Sequence, residues 1–252
     1  MRNRPVVEVC VESLERAVAA ERGGADRIEW CARLATGGVT PDAASIRAIR
    51  RKVRIPIHVL IRPRHEDDFC SDEDFAAMRR DIKVAKELGV DNVVLGVLKK
   101  SFEVDRQRTS ELVQLARPMA VTFHRAFDVC HDWRLALEEV IASGAQRVLT
   151  SGGESRVTDG LSKLAELAKA AGDRIAIMPG GGIRAENVHQ ILEMTGAREV
   201  HTSLVCTSAE FEPRSQCKGK FAVKDSEEFE ARVRNFIRVA ASKPAISRYP
   251  LQ

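Results

Sequence analysis

Val121-Thr122-Phe123-His124-Arg125-Ala126-Phe127-Asp128 is a short apolar strand that runs without a break into a histidine, an arginine and an aspartate. Burying such groups at a strand end is costly unless they are paired, so the stretch is either a structural ion cluster or a site. In α/β folds the carboxyl ends of parallel strands carry the chemistry, which favours a site if the other strands end alike.

Working outward, the same unit recurs. Strands are expected at Val6–Val11, Arg27–Cys31, Ile57–Arg62, Asn92–Leu98, Arg147–Ser151, Arg174–Met178 and Glu199–Ser203, each followed by a helical pattern. The first helix is expected from Ser13 as N-cap to the Gly23-Gly24 stop, and the second from Thr40 as cap with Pro41 in its first position. Ser71 opens a helix with Phe75, Met78, Ile82, Ala85 and Leu88 on one stripe. Eight alternating units, with strand starts mostly about 22 to 35 residues apart, give an α/β chain of the (β/α)8 barrel (TIM-type) class; the rival is an open doubly wound sheet. No linker-like break appears, so residues 1–252 are expected to form one domain, with an irregular stretch over 205–224 and a terminal helix and tail over 225–252.

The net charge of +4 is spread along the chain, and basic clusters such as Arg47, Arg50, Arg51 and Lys52 fall on a helix as a solvated face. No nucleic-acid-binding motif is present, and no apolar run is long enough to span a membrane. Met1-Arg2-Asn3-Arg4 leads into a strand rather than a signal-peptide core. The six cysteines, at 10, 31, 70, 130, 206 and 217, are dispersed with no C-x-x-C, so a cytoplasmic protein with reduced thiols is expected.

Side chains alternate along a strand with period 2. If Val7, Val9, Ile28, Trp30, Ile61, Phe123 and Val200 face the helices, then Glu8, Cys10, Glu29, Cys31, Arg62, His124 and His201 share the lumen, with Arg64 and Ser203 continuing that phase. A purely structural lumen is filled by Val, Ile and Leu, so this shared phase points to a site. Three chemistries fit. Arg62 and Arg64 can grip a carboxylate or phosphate, and Gly180-Gly181-Gly182 before a helix can hold an anion on backbone N–H groups, although the glycines also suit a tight turn. His124, oriented by Asp128, can do acid/base work with Glu8 and Glu29; those two acids can equally neutralise the arginines. Cys10 and Cys31, each two residues after a glutamate, can converge on one ion if the register permits: two thiolates suit Cu(I), or Zn(II) with help from histidine. Two small core-filling thiols are the alternative.

The runs Glu8-Val9-Cys10, Gly24-Ala25-Asp26-Arg27-Ile28-Glu29, Gly37-Gly38-Val39-Thr40-Pro41, Ile61-Arg62-Pro63-Arg64, Thr122 to Asp128, Leu149-Thr150-Ser151-Gly152, Met178-Pro179-Gly180-Gly181-Gly182-Ile183 and Glu199-Val200-His201 resemble the CutC copper homeostasis family over about residues 6–204. The resemblance implies a TIM-type barrel, a cytoplasmic protein linked to copper tolerance, and Cu(I) held by cysteines that correspond to Cys10 and Cys31. Two departures stand out: Trp30 replaces a usual Leu, and the loop from Arg64 to Phe69 is longer and more acidic than the family's R-G-G-D-F.

Two functions follow as expectations. The first is a copper-homeostasis protein whose partner is a copper ion. The second is an enzyme, with Glu8, Glu29, His124 and Asp128 as catalytic groups, acting on a small phosphate- or carboxylate-bearing metabolite bound by Arg62, Arg64, Arg125, Ser151, Gly181, Gly182, His201 and Ser203. A homo-oligomer is left open; a scaffold acting only by oligomerising leaves the polar ring unexplained.

Overall fold

Strand β1 (Val6–Val11) pairs in parallel with β2 (Arg27–Trp30) on one side and with β8 (Glu199–Thr202) on the other. That double pairing excludes the open doubly wound sheet, because it joins the first strand to the last. Between them lie β3 (Ile57–Leu60), β4 (Asn92–Leu95), β5 (Ala120–Phe123), β6 (Arg147–Thr150) and β7 (Ala176–Pro179). The ladder runs β7-β6-β5-β4-β3-β2-β1-β8, a nearly closed (β/α)8 barrel with its seam between β7 and β8. The structure is a computed structural model that describes residues 4–64, 69–204 and 226–242. The expected irregular segment over 205–224, the loop at 65–68, Cys206, Cys217 and the tail beyond residue 242 lie outside the described residues.

Eight helices alternate with the strands: α1 (Leu14–Arg22), α2 (Ala43–Lys52), α3 (Asp72–Glu87), α4 (Arg106–Ala116), α5 (Trp133–Ser143), α6 (Leu161–Ala171), α7 (Val188–Thr195) and α8 (Ser226–Ala241). Their starts follow capping chemistry, since a side-chain oxygen at the N-cap satisfies an otherwise orphaned N–H. Ser13 accepts from Arg16 N, and Ser71 forms a capping box with Asp74. Helix α2 corrects the sequence expectation: its cap is Asp42, which accepts from Ser45 N, and Pro41 precedes the helix. Thr40 is used elsewhere: its backbone N–H donates to the Arg62 carbonyl and its hydroxyl accepts from Arg62 N, both at 2.9 Å. Strands β3 and β4 also end earlier than expected. Beyond Leu95 the ladder gives way to isolated bridges, in which Leu98 meets Phe69 and Val104.

The outer face of the barrel carries Val7, Val9, Ile28, Trp30, Val59, Val93, Phe123 and Val200, all buried in one core with the helices. The inner face carries the other phase. Its apolar part is small: Cys10, Cys31, Leu60 and Val94, with Leu34 packed against them. Leu149 and Met178 add to it, the Met178 sulfur accepting from Arg27 at 3.1 Å, but charged and polar side chains fill much of the remaining lumen, which sets this barrel apart from the layered aliphatic filling usual for the fold. No helix among the described residues is long and apolar enough to cross a membrane.

Candidate metal centre in the barrel lumen

The lumen is built in tiers from residues of one phase. At its floor, Arg27 donates to Glu8 (2.6 Å) and to Glu199 (2.5 Å), and Arg147 donates to the same Glu199 carboxylate (2.5 Å). Asn92 and Arg147 both donate to the Thr122 hydroxyl, at 3.2 Å each. Two guanidinium groups thus meet two carboxylates, which is the condition for burying charge. Above this floor, Glu8 is flanked by two imidazoles: His58 Nδ1 lies 2.7 Å from Oε2 and His201 Nδ1 lies 2.8 Å from Oε1.

The next tier holds the sulfur chemistry. The β1–β2 register sets Cys10 opposite Glu29, and Cys31 follows in the same phase, one residue past the end of β2. Cys10 Sγ donates to Glu29 Oε1 at 3.3 Å and stands 3.7 Å from Cys31 Sγ. Ligand atoms of Cys10, Glu29 and His201 all lie within 4.8 Å of one another. Glu29 Oε2 is buried and has no hydrogen-bond partner among the described residues. On the other side the thiols pack against Leu34, Leu60 and Val94, and Cys31 Sγ donates to the Val11 carbonyl at 3.8 Å. The turn after β2 closes over them. A Cβ on Gly38 would lie 2.8 Å from Leu60 Cδ2 and 3.6 Å from Cys31 Sγ, and its φ of 84° suits glycine.

The environment pushes the two glutamates apart. Burial alone would raise Glu8, but His58 and Arg27 outweigh it and hold its carboxyl well below the usual range. Burial raises Glu29, and neighbouring Glu8 raises it further, despite the opposing pull of His201. Burial would lower His201, yet the carboxylates of Glu29 and Glu8 move it upward. Burial keeps His58 below its ordinary value. The bond to Cys31 and burial raise Cys10, so at neutral pH it is a thiol. The tier therefore holds protons that a cation can displace.

Residues 5–206 match the family model described as the CutC family. The chain belongs to the CutC family. It is 46% identical over 198 residues (79% of this chain and 72% of the relative) to the human protein named copper homeostasis protein cutC homolog. It is 43% identical to the CutC family protein of Chromobacterium violaceum, over 79% of this chain and 80% of that one. Among solved structures, CutC of Streptococcus agalactiae superposes with a TM-score of 0.75 at 30% identity, over 79% of this chain and 98% of that chain. Phosphoribosylanthranilate isomerase from Pyrococcus furiosus (TM-score 0.57, 16% identity, 94% of this chain and 98% of that chain) shares the fold alone.

Within this CutC barrel, the residues singled out in the sequence sort into three groups by their partners. Glu8, Cys10, Glu29, Cys31 and His201 form the centre described above. Arg62, Arg64 and His124 line a small, half-open cleft with Phe69, Cys70 and Gly96. There Arg62 donates to the carbonyls of Gly37 and Gly38 (3.3 and 3.5 Å), and Arg64 to Asp74 (2.9 Å) and the Phe69 carbonyl (3.3 Å). The acid that Arg64 meets is thus Asp74, while Glu8 serves Arg27. A Cβ on Gly96 would lie 2.4 Å from the His124 ring, so glycine makes room for this imidazole.

The third group gathers at the ends of β5 and β6. Asp128 accepts from Arg125 Nε (2.8 Å), the Thr150 hydroxyl (2.5 Å), the Ser151 hydroxyl (2.8 Å) and the Gly153 N–H (3.0 Å). His124 Nδ1 instead accepts from Ala126 N at 3.0 Å, so the backbone orients this ring. Arg125 also donates to Ser151 Oγ at 2.8 Å, and a Cβ on Gly181 would lie 3.3 Å from the Arg125 guanidinium. Gly182 (φ 80°) faces open space, and Ser203 follows the end of β8, half-buried.

Arg27, His58, Asn92 and Arg147 complete the lumen and were not singled out from the sequence. The signal was available for two of them: period 2 steps back from Glu29 to Arg27, and from Leu60 to His58.

Proposed function

We propose that the protein is a cytoplasmic copper-homeostasis protein that binds Cu(I) through Cys10 and Cys31. One observation carries the reading: two thiols from neighbouring strands stand 3.7 Å apart, buried in the barrel lumen. Soft thiolates select Cu(I) over harder ions, and the walls of Leu34, Leu60 and Val94 keep water away from the metal. The relatives named for copper homeostasis support the same assignment. Dispersed free thiols, among them Cys10, Cys31, Cys70 and Cys130, suit a reducing compartment. The test is anaerobic competition against a chromophoric Cu(I) chelator. Wild-type protein should withhold one equivalent, and the Cys10→Ser, Cys31→Ser double variant should release it; equal retention by both would sink the assignment.

A second reading is an enzyme acting on a small phosphate- or carboxylate-bearing metabolite. The convergence of Arg125, Ser151 and Gly181, beside the open Gly182, favours it, with Arg62, Arg64, His201 and Ser203 as further binding groups and His124 and Glu29 for proton transfer. It ranks second because Asp74, Asp128 and backbone carbonyls already engage these arginines. A thermal-shift panel of phosphates and carboxylates that leaves the melting temperature unmoved would remove it.

A further inference from the structure

The sulfur pair is in direct contact before any metal enters, and the spacing it must reach depends on the ion. With a metal–sulfur bond of about 2.3 Å, a linear S–M–S unit sets its sulfurs about 4.6 Å apart and a tetrahedral one about 3.8 Å apart. The observed separation is 3.7 Å. That spacing lies near the tetrahedral value, and two further donors stand beside the pair. Glu29 Oε2 is buried with no partner among the described residues, while its other oxygen already touches Cys10. His201 has Nδ1 on Glu8 at 2.8 Å, which leaves Nε2 as its ligating nitrogen, and one ring nitrogen of His201 lies within 4.8 Å of ligand atoms of Cys10 and Glu29. A carboxylate behind the imidazole is the arrangement that fixes a histidine ligand's tautomer and raises its basicity.

We propose that the lumen cluster is a tetrahedral mixed-donor site for a divalent ion of the Zn(II) class. Cys10 Sγ, His201 Nε2 and one Glu29 oxygen are the three ligands that already lie together, Cys31 Sγ, 3.7 Å from Cys10 Sγ, closes in as the fourth, and Glu8 is the positioning residue for His201. The idea rests on the thiol-pair reading above and extends it to a second ion. The two ions use the site differently. A monovalent soft ion is satisfied by the two thiolates, whereas a divalent ion of intermediate softness draws in the carboxylate and the imidazole. Two thiolates and a carboxylate exceed the charge of a divalent cation by one, and Arg27, two residues before Glu29 on β2, lies close enough to act on that carboxylate. The cluster is also buried, with Cys10 and Glu29 at 3% and 5% exposure, so it fits an ion better than an organic substrate.

The test uses the reduced, full-length chain under anaerobic conditions, with Co(II) as the spectroscopic stand-in. Co(II) should give the intense visible bands of a tetrahedral site together with near-ultraviolet thiolate charge-transfer bands. One equivalent of Zn(II), or of Cu(I), should bleach both. His201→Asn and Glu29→Gln should each weaken Zn(II) by about tenfold or more, the scale seen even for outer partners of a ligand, while Cu(I) affinity changes much less. Glu8→Gln should shift the visible bands while the charge-transfer bands persist, a signature that a purely structural role would not move. Circular dichroism reports whether each variant folds, and the wild-type spectrum alone decides the coordination geometry. Weak, six-coordinate Co(II) absorption beside Cu(I) retention that needs the cysteines would overturn the proposal and leave the Cu(I) reading standing. Tetrahedral Co(II) bands beside Cu(I) binding that ignores the cysteines would support the proposal and overturn that reading.

Discussion

Glu8 Oε1 and His201 Nδ1 stand 2.8 Å apart and tie the first strand of the barrel to the eighth through side chains as well as backbone. The same carboxylate holds Arg27 and His58, so one buried acid serves three cationic or titratable neighbours. Removing it leaves Arg27 with Glu199 alone. Glu8→Ala should lower the urea-derived stability by about 3–5 kcal/mol, the range for breaking a buried pair. The Arg27→Met, Glu8→Leu double variant should cost less than the single change.

Glu8 also sets an acid limit. Its carboxyl lies below the ordinary value of 4.5 in the folded protein, so the unfolded chain binds the proton first as pH falls. The stability that Glu8 contributes is therefore complete above 4.5 and is lost as pH drops through its lower folded value. His58, lowered from 6.5 by burial, acts in the same direction over a higher window. Melting temperature against pH should fall on the acid side, and Glu8→Gln should flatten the slope below 4.5.

Copper affinity should rise with pH and fall as the solution is made more acid. Cys10 is held as a thiol by Cys31 and by burial, so Cu(I) must expel its proton. Apparent affinity should fall by about tenfold per pH unit for each proton displaced, read in the chelator competition. An affinity that does not change with pH would mean that Cys10 is not a ligand.

The turn over the sulfur pair depends on Gly38. An alanine there must adopt φ of 84° and bring its Cβ to 2.8 Å from Leu60. Gly38→Ala should cost at least about 1–2 kcal/mol, the penalty of the left-handed conformation, and should speed reaction of Cys31 with a thiol reagent. Unchanged labelling would mean that the turn does not guard the thiol.

Gly23 tests packing in isolation. Its φ of −73° suits any residue, but an added Cβ would lie 2.6 Å from Val233 on α8. Gly23→Ala should therefore destabilise by about 1–3 kcal/mol through overpacking alone, with metal affinity unaltered.

Much of this was legible in the sequence because the strand period is 2. Once Val7, Val9 and Ile28 faced the helices, Glu8, Cys10 and Glu29 had to face inward, and the β1–β2 register brought the two thiols together. Partners across the barrel were not legible. Glu8 meets His201 only because closure pairs β1 with β8, and Arg27 reaches Glu199 by the same closure. Local loop chemistry also outcompeted expectation: Arg64 meets Asp74 in the first turn of α3, and Asp128 meets Arg125 and the Ser151 N–H before any histidine. Those choices depend on where loops end in space, which periodicity does not encode.

The central claim is that copper sits on the two lumen thiols. Copper K-edge X-ray absorption of the Cu(I)-loaded chain tests it most directly. The account predicts a first shell dominated by sulfur, which loses that sulfur in the Cys10→Ser, Cys31→Ser variant. A shell of nitrogen and oxygen alone in wild type, or a sulfur shell that survives in the double variant, would contradict it.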